Sequence, residues 1–493
     1  MTTQDANTDA NTGANTGANA QKRRSPRFPA PERVLPAADL GRIHFIGIGG
    51  VGMAPLARAM LGRGLPVSGS DIKDTETVRA LRELGAAVAI GQAPENLDGV
   101  DTVVVSTDIP ETNIEVVEAR ARGLRLLHRA SALAALMPGT RSVAISGTHG
   151  KTTTTSMVAV ALRHLGLDPT FVIGGELGAT GESGHAGGGD VLIAEADESD
   201  GTFTHYRPDV AVITNIELDH PDHFADVAQV RAEFQDFADR LEPGGTLVVY
   251  ADDAATRAIA ERTAARGVRV LTYGLAEDAA IRVTDLRTSG GFPTFTLISG
   301  ADRHGPLTLA VPARHNALNA AAALGVALAL GVDVKPYLEG VAGFTGARRR
   351  MQFLGEAAGV RVYDDYGHHP TEIASILAAA RELAGAGRLI AAFQPHRYFR
   401  TNTFLHEFGP ALGAADAVVV LDVYAHGEQP IPGVGGDVIA AETGLPSEAS
   451  VFEPDFDRVP ERLAALARPG DLVVTVGAGD VTEIGPRLLK LLG

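Results

Sequence analysis

The sequence predicts an α/β protein built from several parallel-sheet units, and three observations carry that prediction. Short apolar runs alternate with longer helix-permissive stretches. The alternation restarts twice, near residues 140 and 342. Polar and acidic residues collect directly after the apolar runs, which is the carboxyl end of parallel strands, where open α/β sheets bind ligands. At 493 residues the chain is longer than one hydrophobic core supports, so about two to four domains are expected.

Taken in order, residues 1–38 carry the polar repeat ANTDANTGANTGANAQ and then basic and proline-rich residues. With nothing apolar enough to pack, they are expected to form a disordered low-complexity tail. Residues 39–140 read IHFIGIGG, a helix-like GMAPLARAMLGRG, then LPVSGSD, VDTVVVS and LRLLH, a βαβ pattern that implies a parallel sheet. Residues 141–342 give a second series, RSVAISG, DVLIAEADESD, DVAVITNIELDH, GTLVVYADD and RVLTYG. Residues 343–493 give a third, VRVYDDYGHHP, RLIAAFQPHRY, ADAVVVLDVY and DLVVTVGAGD.

Composition excludes several classes of function. The formal net charge of −17 would repel nucleic acid and anionic lipid, and the only basic cluster is QKRRSPR near the start. No tryptophan and 5% aromatic residues leave no stacking platform for single strands. Zero cysteines remove disulfides, thiolate nucleophiles and cysteine zinc sites together. The longest apolar run, Ala320 to Val332, is too short to span a bilayer, which takes roughly 18 or more residues. A cytoplasmic protein without nucleic-acid or membrane partners is expected, and nothing in the sequence specifies an oligomer.

GIGGVG at 47–52 fits G-x-G-x-x-G between a strand and a helix, with Asp71 at the end of the next strand. Literally read it is a dinucleotide fingerprint, but the same turn accepts any diphosphate nucleotide, a UDP-sugar included. SGTHGKT at 146–152 misses the strict phosphate-loop spacing because Ile145 stands where the first glycine belongs. It keeps the mechanism: backbone N–H groups to curl around phosphate, an ammonium from Lys151 and a Thr152 hydroxyl for Mg²⁺. Only Lys22, Lys73, Lys151, Lys335 and Lys490 break the arginine habit of this chain, which suits a compact ammonium at the loop.

EADESD at 195–200 follows VLIA, so its carboxylates sit at a strand end beside the loop, with Glu195 nearest the strand and placed for a magnesium nucleotide. His220 and His223 in NIELDHPDH have zinc-ligand spacing, but no third soft ligand is evident and the surrounding oxygens suit Mg²⁺. RHNALNA, ARRRMQ, DDYGHHP and FQPHRYFRT add cations and polar groups at successive domain edges, a disposition that suits an anionic substrate held between domains.

These residues resemble the Mur ligase family. The likeness runs from about residue 40 to the end through GIGGVGM, SGSD, SGTHGKTTT, EADESD, TNIELDH, HNALN, Arg349-Arg350, DDYGHHPTE, FQPHRY and DVY followed by GE, all in family order. The resemblance implies three domains: a Rossmann-like N-terminal domain for the UDP-sugar, a central P-loop ATPase domain and a Rossmann-like C-terminal domain for the amino acid. It implies ATP-dependent joining of L-alanine to the carboxylate of UDP-N-acetylmuramate through an acyl phosphate, with Mg²⁺, in peptidoglycan precursor synthesis.

Carried over residue by residue, it puts Lys151, Glu195, His220 and Arg350 at the chemistry. Gly147, Thr148, His149, Gly150, Lys151, Thr152, Thr153, Asn316, Asn319, Arg350 and Asp365 would meet ATP. Thr152, Glu195 and His220 would meet metal. Gly47, Gly49, Gly50, Gly52, Ser70 and Asp71 would hold the UDP moiety, and Tyr366, His368, Arg397 and Arg400 the amino acid.

Some relatives use a carbamylated lysine at the metal site. This chain has no lysine between Lys151 and Lys335, so that device cannot operate. Arg348 ahead of the arginine pair, and Met351 where phenylalanine is frequent, depart from the family pattern. The rival readings are a nicotinamide-dependent oxidoreductase, which leaves SGTHGKT and EADESD without a task, a ligase that attaches a recycled tripeptide to the same sugar nucleotide, and a nucleotide-dependent switch without turnover.

Overall fold

The computed structural model describes residues 28–493, which form three sheets. The first is parallel throughout: β1 (Ile43–Ile46), β2 (Val67–Asp71), β3 (Ala87–Ile90), β4 (Thr102–Val105) and β5 (Arg125–His128), in the order β3-β2-β1-β4-β5.

The second sheet contains β6 (Arg141–Ser146), β7 (Thr170–Val172), β8 (Gly184–His185), β9 (Val191–Glu195), β10 (Val210–Ile213), β11 (Thr246–Tyr250) and β12 (Arg269–Gly274). An antiparallel extension of β13 (Ile281–Ser289), β14 (Phe292–Ser299) and β15 (Asp302–Thr308) widens it to ten strands, ordered β15-β14-β13-β12-β11-β10-β6-β9-β7-β8. The third holds β16 (Gln352–Ala357), β17 (Val360–Asp365), β18 (Leu389–Phe393), β19 (Ala417–Val420), β20 (Ser450–Phe452) and β21 (Leu472–Val476), ordered β16-β17-β21-β18-β19-β20.

Strand order explains how distant motifs meet. Because β9 and β10 flank β6, with Ile145 level with Glu195 and Ser146 level with Ile213, the loops bearing SGTHGKT, EADESD and TNIELDH emerge side by side. In the third sheet β17, β21, β18 and β19 are neighbours, so DDYGHH, GAGD, FQPHRY and DVY open at one edge. Fully buried Val and Ile runs on β4, β6, β9, β10, β19 and β21 are what a parallel sheet covered on both faces requires.

Helices cover these faces for local reasons. Thr75, Asn113, Asp226 and Asp253 each accept an N–H bond as N-caps, and His369 with Glu372 closes a capping box on Pro370–Ala384. Among the described residues no helix is long and apolar enough to cross a membrane.

The cores are shared unequally. One cluster is continuous from the first domain (Phe45, Leu56, Met60) into a face of the second (Phe203, Phe234, Phe237). The third sheet keeps two clusters of its own, joined from the second domain by Phe292 at the start of β14.

Of the expected 1–38 tail, residues 1–27 lie outside the described residues, while 28–38 do not behave as an unpacked tail. The Phe28 ring sits 5.0 Å from the His128 ring. His205 Nε2, Arg240 and Arg207 donate to the carbonyls of Phe28, Pro31 and Glu32 at 3.0, 3.0 and 3.1 Å, and Val34, Leu35 and Ala37 pack on the shared core. A composition dominated by its polar neighbours hid these few apolar residues and carbonyls, which act as a strap across two domains. A chain starting at Ala37, compared with one starting at Phe28, should lose about 2–4 kcal/mol from its first unfolding transition; calorimetry of the two would measure it, and superimposable transitions would refute the strap.

Candidate active site

The nucleotide-loop candidate lies between β6 and the helix Lys151–His164. Gly147 has φ +133°, and a Cβ there would fall 1.9 Å from Thr214 Oγ1. Gly150, at φ +83°, passes so close to Asn319 that a Cβ would meet its Oδ1 at 2.9 Å. Only glycine fits either place. The loop is fastened to the segment after β10: Thr148 N donates to Asn215 O, His149 N to Asn215 Oδ1 at 2.8 Å, and Thr214 Oγ1 to His149 O at 2.6 Å.

Lys151 Nζ donates to Gly147 O (2.6 Å), Thr148 O (3.1 Å) and Glu198 Oε1 (2.9 Å). Burial opposes its charge, but the carboxylates of Glu198 and Asp197 outweigh burial and raise it. One ammonium does not compensate both the buried Glu198 and its partly exposed neighbour Asp197. Burial, with Asp197 beside it, pushes Glu198 up to about 7, whereas Asp197 is held low by Arg129, whose Nη2 lies 2.8 Å away.

Thr152 Oγ1 donates to Glu195 Oε1 at 2.8 Å, and Gly174 N to the other oxygen at 2.7 Å. His220, the third expected metal ligand, turns elsewhere: its Nε2 is 3.6 Å from Asp219 and 4.0 Å from Glu198, and Arg400 Nη2 is 3.5 Å from its Nδ1. Burial, helped by Arg400, lowers it to about 4, so it is neutral and able to ligate near neutral pH. These oxygen and imidazole donors form two small groups beside the loop, a set that fits hard divalent cations.

A cavity of about 440 Å³ opens between the second and third domains, within the size range of small-ligand sites. Its walls include His149, Gly150, Thr152, Thr153, Asn316, Asn319, Arg350 and Asp365, with Tyr250, Tyr273, Ile216 and Phe344 supplying apolar surface. Asn316 Nδ2 donates to Pro312 O and Asn319 Nδ2 to Asn316 Oδ1. Asp365 accepts N–H bonds from Met351 (2.7 Å) and Gly367 (2.8 Å), and burial raises it to about 6 despite Arg350.

The three consecutive arginines have three tasks. Arg348 pairs with Glu176, Arg349 donates to the carbonyls of Gly477 and Gly479, and Arg350 lines the cavity, 3.9 Å from Glu372. The Tyr366 ring takes the guanidinium groups of Arg349 and Arg350 at 4.8 and 5.3 Å.

Two sets of expected binding residues are placed differently from the sequence reading. Ser70 does not face a ligand: it is fully buried and its hydroxyl donates to Glu115 Oε2 at 2.6 Å. A buried carboxylate needs such donors, so Ser70 serves the first glycine loop only through its carbonyl, which accepts from Gly47 and Ile48. Asp71 Oδ2 accepts from Gly49 N at 2.9 Å and so shapes the turn of Gly47, Gly49, Gly50 and Gly52 directly.

Arg397 and Arg400, expected to meet the amino acid, are paired across the domain seam. Arg400 is 4% exposed and donates to Asp219 Oδ1 at 2.9 Å, and Arg397 meets Asp222 Oδ2 at 3.0 Å. A buried guanidinium requires an acid partner, and the loop after β10 supplies it. His368, 3.7 Å from Asp219, joins the same group. Sequence reasoning passed over Glu198, Glu217, Asp219 and Glu372; the first three lie inside motifs already singled out, and Glu372 is the acid that ends HHPTE.

Residues 42–141, 145–327 and 349–479 match the Mur ligase family catalytic domain, the Mur ligase middle domain and the Mur ligase glutamate ligase domain. The UDP-N-acetylmuramate–L-alanine ligases of Acidothermus cellulolyticus and Kineococcus radiotolerans are each 51% identical, over 93% and 92% of this chain and 96% and 97% of their own. The crystal structure of UDP-N-acetylmuramate-alanine ligase from Thermotoga maritima superposes with TM-score 0.76 at 28% identity, covering 91% of this chain and 98% of that one. A murein peptide ligase from Psychrobacter arcticus, at 24% identity and TM-score 0.67 over 92% and 99%, shares the fold.

Gly147→Ala should leave the fold intact and abolish nucleotide binding, because the added methyl collides with Thr214 in the loop. Circular dichroism and titration with an ATP analogue would measure the two effects, and retained affinity would refute the loop geometry.

Proposed function

The chain belongs to the Mur ligase family, and on that premise we propose that it joins L-alanine to the carboxylate of UDP-N-acetylmuramate with conversion of ATP to ADP and phosphate, in peptidoglycan precursor synthesis. The observation that carries this reading is Lys151, whose ammonium is held by the Glu198 carboxylate at the mouth of a glycine loop, a geometry in which an incoming phosphate oxygen replaces one anion by another. Relatives about half identical over nearly the whole chain, all named as alanine ligases, support the substrate pair. The tripeptide-adding and nicotinamide-dependent readings are not favoured by them.

The chemistry needs activation because a carboxylate is a poor electrophile at neutral pH. Its oxygen attacks the γ-phosphorus and ADP leaves; the alanine nitrogen then attacks the acyl carbon, loses a proton, and phosphate departs. No enzyme nucleophile is required. Lys151 and the N–H groups of Gly147 and Gly150 hold the phosphates, while Thr148 and His149, whose own N–H groups are bonded to Asn215, fix the loop around them, with Thr153 behind. Asn316 and Asn319 face the nucleotide, Asp365 its ribose, and Arg350 the γ-phosphate, where its fixed charge acts without reorganisation.

Thr152 and Glu195 would hold one Mg²⁺, and His220 would stand at a second. When bound, these ions neutralise charge between two anionic reactants. Gly47, Gly49, Gly50 and Gly52, shaped by Asp71, would receive the UDP diphosphate. In the C-terminal domain Tyr366 and His368 would flank the amino acid, whose carboxylate would pair with Arg397, the more open of the two arginines, while Arg400 stays on Asp219. A cytoplasmic location follows from the dependence on ATP.

Phosphate release from ATP should require both UDP-N-acetylmuramate and L-alanine, and a tripeptide in place of L-alanine should not support it; the opposite preference would overturn the assignment. Lys151→Ala should abolish release while UDP-N-acetylmuramate still binds, as isothermal titration would measure. For Arg397→Lys the KM for L-alanine should rise by about ten- to a hundredfold, the loss of a charge-assisted contact, with the ATP KM little changed. An alanine KM within about twofold of the parent would sink that role.

A further inference from the structure

One residue of the nucleotide loop does more than phosphate binding needs. Backbone N–H groups and a lysine suffice for phosphates, yet His149 directs both ring nitrogens at carboxylates. Its Nε2 lies 2.7 Å from Glu217 Oε2 and its Nδ1 3.1 Å from Glu372 Oε1. Glu217 belongs to the loop after β10, whereas Glu372 stands in the first turn of the helix Pro370–Ala384 of the C-terminal domain. A ring that meets a carboxylate at each nitrogen satisfies both only as an imidazolium, which has two donors.

The groups packed around it agree. The His369 ring lies 5.2 Å away with its Nδ1 3.9 Å from Glu217, and Arg350 is 3.9 Å from Glu372. Burial disfavours charge on His149, but Glu372 and Glu217 outweigh it and raise the ring to about 9. Burial lowers His315 to about 4 and lowers His369 as well, each with His149 adding to the effect. Of the three imidazoles, His149 is the one that keeps its proton at neutral pH. Glu372 cannot adjust alone, because its other oxygen accepts the N–H groups of His368 (2.9 Å) and His369 (3.3 Å) and so caps its own helix. The loop therefore meets this carboxylate only when the whole C-terminal domain is docked.

We propose that His149 is a positioning residue that latches the nucleotide loop to the C-terminal domain, so that ATP, held by the loop, and the amino acid, held by that domain, bind interdependently. This rests on the assignment of ATP to the loop. Coupling of this kind is reciprocal: whatever closes the domain tightens ATP, and ATP favours closure to the same degree. The raised ring makes the latch fully effective below about pH 6.5, the ordinary value, and releases it as pH rises through about 9. His149, Glu217 and His369 also offer ligand atoms within 4.8 Å of one another, a spacing that a divalent cation could bridge only after His149 lost its proton.

The test is titration of the full-length protein, saturated with UDP-N-acetylmuramate, with a non-hydrolysable ATP analogue, with and without L-alanine, at about pH 8 and about pH 10 (about one unit below and above the loss of the proton). The parent, His149→Gln, Glu372→Gln and the double variant are compared after circular dichroism confirms folding. In the parent at the lower pH, L-alanine should tighten the analogue by at least about fivefold. That gain should vanish at the higher pH and in each variant, and the double should be no worse than the singles. Coupling and pH response of parental size in His149→Gln, or losses that add in the double variant, would overturn the latch. Failure of the analogue to bind the parent would overturn the ATP assignment together with it. Tight Zn²⁺ binding by the parent that His369→Ala removes would assign the three residues as a metal centre and also overturn the latch.

Discussion

Charge taken out of water between two domains must find an opposite charge or a full set of hydrogen bonds, since an isolated buried ion costs several kcal/mol. That requirement organises the seam between the central and C-terminal domains. Asp219 is 4% exposed; burial alone would raise it, but His220 and Arg400 hold it well below the usual carboxylate range. Glu372 is held low in the same way by His368, His149 and Arg350. Asp219 of the central domain answers Arg400 of the C-terminal domain, and Glu372 of the C-terminal domain answers His149 of the central one, so neither domain completes its own electrostatics. Two groups proposed for the chemistry, His220 and Arg350, stand among those that hold the seam together.

This arrangement contrasts with the other interface. The first and second domains share a continuous apolar core, reinforced by the strap of residues 28–38. Apolar burial is non-directional and tolerates no water-filled opening at low cost, whereas ion pairs can exchange partners with substrate. A substrate carboxylate can replace Asp222 at Arg397 without leaving a bare buried charge, because Asp222 is partly exposed. The interface that must admit ligands is the one built from exchangeable contacts.

Near Lys151 the balance is deliberately uneven. Glu195, Asp197 and Glu198 follow one strand within four residues, and the surrounding cations are Lys151 and Arg129. The surplus of acid raises Glu198 to about 7, and a divalent cation at the Thr152–Glu195 oxygens, as proposed above, would offset it.

The amino-acid sequence determined the three sheet units, the strands that carry motifs, and the residue types at their ends. Parallel strands buried on both faces must be written as apolar runs, and their ligand-binding ends must be polar. Strands without that signature escaped: β3 is half exposed, and β7, β8, β20 and the antiparallel extension β13 to β15 mix polar and apolar residues because neighbouring strands, not the sequence, supply their pattern. Tertiary structure alone decided which charged residue meets which. Ser70 reads as a residue for the UDP moiety and is a buried donor to Glu115; Arg397 and Arg400 read as residues for the amino acid and are paired with Asp222 and Asp219. Arg349 and Arg350 are adjacent in the chain but hold different partners. Periodicity reports the face a residue occupies within its own element, whereas a charge's partner lies on another element, 175 residues away for Arg397 and 181 for Arg400, and only the packed sheets bring the two within the few ångströms over which a buried ion pair forms.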